Sequence, residues 1–234
     1  MRFVRGSVIV MFHTKDFVLS QSLVIAVDGP AASGKGTIAS RLAAHYGLPH
    51  LDTGLLYRAV GLAVLDAGLD LGDEAAAEAA AKALDPHNLS DNQRLTERHA
   101  GEAASRVASY PAVRAALLTL QQDFAAQEGG AVLDGRDIGT VIAPNATAKL
   151  YVTASRDVRA ERRWKQLTAR GQDIALEDMV EDIRRRDERD SGRDSAPMVQ
   201  ADDAVLLDTT DKSIETAFDA ARRIVEAARA KAEI

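Results

Sequence analysis

Residues 23–37 read LVIAVDGPAASGKGT, and this stretch decides the fold. The apolar, β-branched run that ends at Asp28 predicts a buried strand, and the glycine-rich segment after it predicts a tight turn that opens a helix at Lys35. Backbone N–H groups in such a turn, with the positive end of the helix dipole, bind phosphate oxygens. The order of strand, turn and helix therefore predicts a phosphate-binding loop.

The residues of this loop suit a nucleoside triphosphate. Lys35 brings a positive charge for the β- and γ-phosphates, and the hydroxyl of Thr37 can hold Mg²⁺. The usual pattern, G-x-x-x-x-G-K-[ST], is met from Gly29 to Lys35. Gly36 takes the place of the usual Ser or Thr, and Thr37 restores the hydroxyl one place later. This Gly-Lys-Gly-Thr variant is similar to the loop of nucleoside monophosphate kinases.

The composition indicates one main globular domain. The chain has 234 residues, of which 46% are hydrophobic and 27% charged, so it can bury a substantial core. A net charge of −6 argues against non-specific nucleic-acid binding, and no run is long enough to span a membrane. Because cysteine is absent, disulfides and cysteine-ligated metals are excluded, and we expect a cytoplasmic protein.

Residues 1–21 precede the predicted domain, and we expect them to be a non-essential extension. Two arginines before the apolar run Val8–Phe12 give it a weak likeness to a secretory signal. The run is short, and no small-residue cleavage site follows it. An upstream start codon, with Met11 as the alternative first residue, would also explain this segment.

Strands alternate with helices along the rest of the chain, which predicts a parallel sheet covered on both faces. The predicted strands are Leu23–Val27, Leu51–Asp52, Ala131–Asp134, Lys149–Thr153 and Ala204–Leu207. The predicted helices run from 35 to about 46, 55–67, 73–84, 102–109, 111 to about 127, 156–170, 176–190 and 213–230, with Asp73 and Ser155 as caps. Ligands of such sheets bind at the carboxyl ends of the strands, so the loops there are the expected site.

Two stretches after predicted strands suit a second, phosphorylated substrate. Residues 51–58, LDTGLLYR, bring together a hydroxyl, a phenol and a guanidinium, and Arg58 can bind a phosphate monoester through two hydrogen bonds. Residues 134–140, DGRDIGT, put Asp134 at a strand end, where its carboxylate can hold Mg²⁺ directly or through water. A β-turn with a routine ion pair would explain the second stretch equally well.

The basic segments of the second half have two explanations. Arg186, Asp190 and Arg193 are spaced i, i+4, i+7, which predicts one shared helix face for an anionic substrate. A solvated charged surface is the usual explanation for such a run, and it applies to Arg162 and Arg163 as well.

Six stretches together resemble the bacterial cytidylate kinases. They are residues 29–37, 51–58, 103–109, 113–118, 134–140 and 186–193. The resemblance covers nearly the whole chain from Leu23 onward and implies a P-loop three-layer α/β fold with a parallel sheet flanked by helices. It also implies one domain, residues 22–234, with a monophosphate-binding insert at about 66–110 and a short lid at about 162–175.

The same resemblance implies transfer of the γ-phosphate of ATP to CMP or dCMP, with Mg²⁺, by a monomer that binds neither nucleic acid nor membrane. The implied ATP-binding residues are Gly29, Pro30, Ala31, Ala32, Ser33, Gly34, Lys35, Gly36, Thr37 and Arg163. The implied acceptor-binding residues are Thr53, Tyr57, Arg58, Ser105, Arg114, Arg136, Asp137, Arg186, Asp190 and Arg193. The implied catalytic residues are Lys35, Arg58, Arg136 and the lid residue Arg162, and the implied metal-binding residues are Thr37 and Asp134.

The chain departs from the family pattern in two places. Thr53 stands where the family often has serine, which keeps the hydroxyl. The segment between Tyr57 and Ser105 is short, and Leu89–Ala100 has no clear equivalent of the family's β-rich piece. The shape of the insert is therefore an open question at this point.

Two other functions remain open on the sequence alone. A P-loop kinase could act on another nucleoside monophosphate, or on a metabolite hydroxyl if a carboxylate base lay close by. A non-catalytic nucleotide-binding switch would need phosphate-sensing loops and a partner, and no motif marks them. The number of arginines argues against the switch.

Overall fold

The structure is a computed structural model that describes residues 22–86, 89 and 93–232. Five of its segments form one parallel sheet in the order β2-β3-β1-β4-β5. The strands are β1 (Leu23–Asp28), β2 (His50–Asp52), β3 (Gly130–Gly135), β4 (Ala148–Thr153) and β5 (Val205–Asp208). The predicted N-terminal extension, residues 1–21, lies outside the described part of the chain.

The α-helices of the described residues alternate with these strands or cluster between β2 and β3. They are α1 (Lys35–Tyr46), α2 (Thr53–Asp66), α3 (Glu74–Lys82), α4 (Arg98–Val107), α5 (Pro111–Ala125), α6 (Arg156–Thr168), α7 (Leu176–Ser191) and α8 (Ile214–Ala232). A 3₁₀ turn covers Gln93–Thr96, and a π-type turn covers Ile138–Ile142. Among the described residues, no helix combines the length and apolar composition needed to cross a membrane.

Apolar side chains cover both faces of the sheet, which confirms the predicted three-layer α/β fold. On one face, Ile25 and Val27 of β1 pack with residues of α1 and α8, including Leu42 and Val225. On the other face, Ala26 packs with residues of α5 and of the π-type turn. Because β1 is the central strand, it is buried from both sides, and its continuous apolar run fits that position.

The helices between β2 and β3 form a second cluster, in which α2 packs against α4 and α3 against α5. Gly61 permits the close approach of α2 and α4, because a Cβ there would lie 2.7 Å from the Cβ of Ala103. A third cluster joins α6 and α7 through Leu167, Met179 and Ile183. The two clusters contact each other through α4 and α7.

The predicted element boundaries agree with the structure to within a few residues, with two exceptions. Helix α4 begins at Arg98, four residues before the predicted start. The π-type turn after β3 was not predicted. A tertiary contact holds it, because the carboxylate of Asp28 accepts hydrogen bonds of 2.8 Å from the backbone N–H groups of Ile138 and Gly139. The predicted caps are confirmed for Asp73 and Ser155.

Candidate functional site

The phosphate loop lies between β1 and α1, in the predicted order. Gly29 has φ +142°, and a Cβ at this residue would lie 2.0 Å from the carbonyl oxygen of Val152, so only glycine fits. Gly34 (φ +90°) and Ala32 (φ +60°) also adopt positive φ values. Side chains from other elements bind the backbone of the loop. The carbonyl of Ala31 accepts a hydrogen bond of 3.3 Å from the guanidinium of Arg159, and the carbonyl of Ser33 accepts one of 2.9 Å from the hydroxyl of Thr209. A constrained loop of this shape is a ready anion-binding concavity.

Lys35 is the first residue of α1, and its ammonium group is in an unusual setting. Burial and, after it, the positive charge of Arg136 lower the pKa of Lys35 to about 8, against the attraction of Asp134 and Asp52. The lowered pKa means that the surrounding groups carry too little negative charge to stabilise the ammonium form of Lys35 fully. A bound phosphate would provide that charge.

Two carboxylates lie beside the loop, at the ends of neighbouring strands. Asp52 and Asp134 are register partners in β2 and β3. Asp134 borders Gly36, since a Cβ on that glycine would lie 3.8 Å from Oδ1 of Asp134. Burial raises the pKa of Asp52, and the neighbouring Asp134 raises it further. The two carboxylates therefore repel each other, although Lys35, Arg58 and His50 partly offset that repulsion at Asp52.

Thr37 and Arg162 line a separate opening beside the loop. This cavity of about 320 Å³ lies between the start of α1, α6 and the segment before α8, and also includes Gly34 and Thr209. Arg162 donates to the hydroxyl of Thr209 at 3.0 Å and to its carbonyl at 2.7 Å. The guanidinium of Arg162 is therefore fixed beside the loop, and the alternative of a solvated surface residue is wrong for it.

On the far side of Asp134, polar residues that are distant in sequence form a second, narrow cavity. Thr53 is buried, and its hydroxyl donates to the carbonyl of Asp134 at 2.9 Å. Arg114 of α5 pairs with Asp137, and both side chains are almost fully buried. The guanidinium carbon of Arg114 lies 5.7 Å from the ring centre of Tyr57. The same cavity is lined by Ser105, Arg136, Arg186, Asp190 and Arg193.

Asp190 connects this second cavity to the end of β3. Its Oδ2 accepts from Nε of Arg136 at 2.9 Å, and its Oδ1 accepts from the hydroxyl of Ser105 at 3.1 Å and from Arg193. Burial alone would raise the pKa of Asp190, but Arg136, Arg193 and Arg186 together hold it well below its usual range. Asp190 is therefore an ionised carboxylate at the centre of an arginine network.

One prediction about α7 needs correction. Arg193 does not share a helix face with Arg186 and Asp190, because α7 ends at Ser191; it reaches Asp190 from the turn beyond. Arg186 does not orient Asp190 by a hydrogen bond. The buried Nε of Arg186 has no partner among the described residues, and its influence on Asp190 is electrostatic.

Positive side chains converge around Arg186, which lines the second cavity. Burial lowers the pKa of Arg186 to about 9, and the charges of Arg136, Arg58 and Arg163 contribute. Burial lowers the pKa of Arg163 to about 10, again with Arg58 nearby. Arg58 donates to the carbonyl of Leu95 at 2.6 Å, and its buried Nε has no partner among the described residues. Together with Lys35, these cations repel one another, and such a space suits a polyanion.

Four site residues were not identified from the sequence. Asp28 positions the π-type turn, Thr209 holds Arg162, and His50 and Asp52 accompany Asp134. The burial of Asp28 raises its pKa to about 6, although two backbone N–H groups oppose that change. The sequence could have indicated that His50 and Asp52 lie together, because the side chains of residues two apart on a strand point to the same face of the sheet. Thr209 is 47 residues from Arg162, so only tertiary structure reveals that contact.

The described residues contain no cluster of three or more His, Cys, Asp or Glu side chains that could hold a metal by themselves. A pair of carboxylates fits Mg²⁺ instead, because this ion keeps several waters and is held by one or two carboxylates together with substrate phosphates. Asp134 and Asp52 provide such carboxylates next to the phosphate loop. A closed site for a transition metal is not present in this part of the chain.

Comparisons with known proteins show the family to which the chain is similar. The family model described as Cytidylate kinase matches residues 25–228. A protein named cytidylate kinase from Caulobacter vibrioides is 69% identical over 208 residues, which cover 89% of this chain and 97% of that protein. Its counterpart from Xanthobacter autotrophicus is 66% identical over 208 residues, covering 89% and 99%. Among solved structures, an uncharacterized protein from Eubacterium ventriosum shares the fold, with 14% identity, a TM-score of 0.51 and coverage of 88% and 99%.

Proposed function

The chain belongs to the cytidylate kinase family, and we propose that it transfers the γ-phosphate of ATP to CMP or dCMP, giving ADP and the nucleoside diphosphate. The observation that carries this proposal is the convergence of Lys35, Arg58, Arg136, Arg163 and Arg186, whose charges repel one another across one space. Such an arrangement is costly unless anions occupy it. Two phosphorylated substrates meeting at their reactive phosphates would neutralise it.

On the donor side, the backbone of Gly29–Thr37 binds the phosphates of ATP, and Lys35 contacts the β- and γ-phosphates. Arg162 and Thr37 face the same opening from α6 and α1 and contact the nucleotide there. Arg163 is the residue after Arg162 in α6, and it adds positive charge near Arg58. These roles rest on the position of each side chain around the loop.

On the acceptor side, Arg58, Arg136 and Tyr57 bind the phosphate of CMP. The buried pair Arg114–Asp137, with Thr53, Ser105 and Arg193, presents donors and acceptors to the cytosine edge. The carboxylate of Asp190 accepts a further hydrogen bond from a ribose hydroxyl, and Arg186 lies beside it. A base other than cytosine would leave some of these buried polar groups unpaired, which is the physical basis of selectivity.

Mg²⁺ would be held by Asp134, directly or through water, together with the nucleotide phosphates, with the hydroxyl of Thr37 as the other candidate ligand. When bound, it neutralises charge on the transferring phosphoryl group. The repulsion between Asp52 and Asp134 supports this assignment, because a bound cation would relieve it.

Catalysis in this proposal is mainly positioning and electrostatic stabilisation. The acceptor phosphate is already an anion, so the chain needs no general base to create a nucleophile. Lys35, Arg58, Arg136 and Arg162 surround the transferring group and stabilise the negative charge that spreads over its oxygens. Arg136 is fixed for this role by Asp190, and Arg162 by Thr209.

We further propose that the helical region at about residues 66–110 is the monophosphate-binding insert and that residues 162–175 form the lid. Contacts between them support closure: Arg170 and Arg163 both donate to the carbonyl of Thr96, at 3.2 and 3.4 Å. Excluding water at closure prevents wasteful hydrolysis of ATP. The monomeric state and cytoplasmic location stay predictions.

The test is an acceptor profile. ADP release from ATP is measured in a coupled assay with CMP, dCMP, UMP or AMP at matched concentrations, and without acceptor. We expect rapid release with CMP and dCMP, and only background release without acceptor or with AMP. Equal efficiency with AMP and CMP would contradict the acceptor assignment. Nucleotide binding without transfer to any acceptor would instead favour a switch.

A further inference from the structure

We propose that His50 is a positioning residue for phosphoryl transfer: it holds the carboxylate of Asp134 in the orientation that receives Mg²⁺. The proposal rests on the proposed function, because it deepens the role given there to Asp134. None of the motifs in the sequence includes His50, and the residue becomes relevant only through its contact in the folded chain.

The contact is short and directional. Nε2 of His50 lies 2.8 Å from Oδ2 of Asp134. A carboxylate only accepts hydrogen bonds, so Nε2 of the imidazole carries the proton and donates it. The side chain of Asp134 is 2% exposed, whereas that of His50 is 24% exposed. The imidazole therefore approaches from the edge of the sheet and contacts a carboxylate that lies inside the site.

The contact leaves one oxygen of the carboxylate available. Both oxygens of the Asp134 carboxylate lie beside the phosphate loop, 3.8 Å (Oδ1) and 3.9 Å (Oδ2) from where a Cβ on Gly36 would stand, and among the described residues Oδ1 accepts no hydrogen bond. The carbonyl of the same residue is bound by Thr53. Asp134 is thus fixed through its backbone and through Oδ2, while Oδ1 keeps its acceptor capacity next to the phosphate loop.

The neighbourhood explains why such a contact is needed. Asp52 is the register partner of Asp134, and two adjacent carboxylates repel each other. Without a donor on Oδ2, the carboxylate could rotate away from Asp52 and from the loop. His50 and Asp52 lie on one face of β2, so the same strand brings the repelling group and the donor that counters it. Residues that orient a metal-binding carboxylate commonly contribute 10- to 100-fold to metal affinity.

The experiment measures metal affinity directly. Binding of Mn²⁺ to the full-length enzyme, saturated with a non-hydrolysable ATP analogue, is followed by electron paramagnetic resonance. H50F keeps a ring of similar size but has no donor, and H50Q keeps an N–H donor on a side chain of similar reach. We expect about 10- to 100-fold weaker Mn²⁺ binding in H50F, an equal rise in the Mg²⁺ concentration for half-maximal rate, and an unchanged KM for CMP. H50Q should stay within about threefold of the unchanged protein.

D134N provides the matched control. If His50 acts through Asp134, H50F should have no further effect on Mn²⁺ affinity in the D134N background. Weak binding in D134N but normal binding in H50F would overturn the role of His50 and leave the proposed metal site intact. Normal binding in D134N would overturn both. Where H50F folds poorly, as judged by its Tm, H50L takes its place with the same criteria.

Discussion

Nε of Arg136 donates a hydrogen bond of 2.9 Å to Oδ2 of Asp190, and this contact joins the end of β3 to the last turn of α7. The two residues are 54 positions apart in the chain. Arg136 lies between the phosphate loop and the acceptor cavity, and Asp190 also anchors Ser105 and Arg193. Burial alone would lower the pKa of Arg136, but Asp190, Asp134 and Asp52 together raise it. One carboxylate thus keeps a catalytic candidate charged and oriented.

Lys35→Ala should abolish most transfer while leaving the fold intact. Lys35 is the first residue of α1, and among the described residues its ammonium group forms no ion pair. Losing a charged contact made mainly in the transition state costs about 3 kcal/mol, on the order of a hundredfold in rate. Steady-state ADP release measures the loss of transfer, and thermal unfolding tests whether the fold is intact. Turnover close to that of the unchanged enzyme would remove Lys35 from the mechanism.

The affinity for ATP should fall as the pH rises through about 8. Burial and Arg136 lower the pKa of Lys35 to about 8, so in the free enzyme its charge is present below that pH and lost above it. Binding of a fluorescent ATP analogue between pH 7 and 9.5 should weaken by up to about tenfold per unit in the alkaline range. In Lys35→Ala the curve should be flat. Parallel curves for the two proteins would show that another group titrates.

Arg114→Ala should weaken CMP far more than ATP. The buried guanidinium pairs with Asp137 in the acceptor cavity, away from the phosphate loop. Loss of a hydrogen bond to a charged group costs about 1.5–3 kcal/mol, a change in KM for CMP of roughly 10- to 150-fold. The free energy of unfolding should also fall by about 3–5 kcal/mol, because Asp137 stays buried without its partner.

Substitution of the exposed Arg229 in α8 provides the control for Arg114→Ala, because it removes an arginine far from the cavity. Arg229→Ala should leave the kinetics unchanged. A KM for ATP that rises in Arg114→Ala as much as the KM for CMP would contradict the assignment of Arg114 to the acceptor side.

Asp190→Ala should harm both acceptors and harm CMP more than dCMP. The carboxylate has about four acceptor positions, and three protein donors occupy three of them, which leaves one for the ribose 2′-OH. Losing that bond costs about 1.5–3 kcal/mol, and dCMP cannot make it. The ratio of kcat/KM for CMP to that for dCMP should therefore fall roughly tenfold or more. An unchanged ratio would leave Asp190 with only its role in holding the arginines.

The segment at residues 162–172 should become protected when both substrates bind. Arg163 and Arg170 of this segment already donate to the carbonyl of Thr96, but these hydrogen bonds are long, 3.4 and 3.2 Å, and that of Arg170 is exposed. Hydrogen exchange in this segment should slow with ATP and CMP analogues present together, and exchange in α8 should not change. Unchanged exchange in the saturated complex would contradict a closing lid.

Much of the fold follows from local sequence patterns. The apolar run of β1, the turn at Gly29 and Gly34, and the caps Asp73 and Ser155 each depend on residues close in sequence, and all agree with the structure. The π-type turn does not follow from its own residues, because it needs the carboxylate of Asp28, 110 residues earlier. Local preference cannot register a hydrogen bond across that distance.

The sequence by itself determined the phosphate loop, the parallel α/β class and the residue types available at the strand ends. Only the tertiary structure decided which of those residues meet: Asp190 with Arg136, Arg162 with Thr209, and His50 with Asp134. The physical reason is the range of the interactions. Strand, turn and helix preferences act over a few neighbouring residues, whereas the charge balance of a buried site sums over every group that folding brings within a few ångströms.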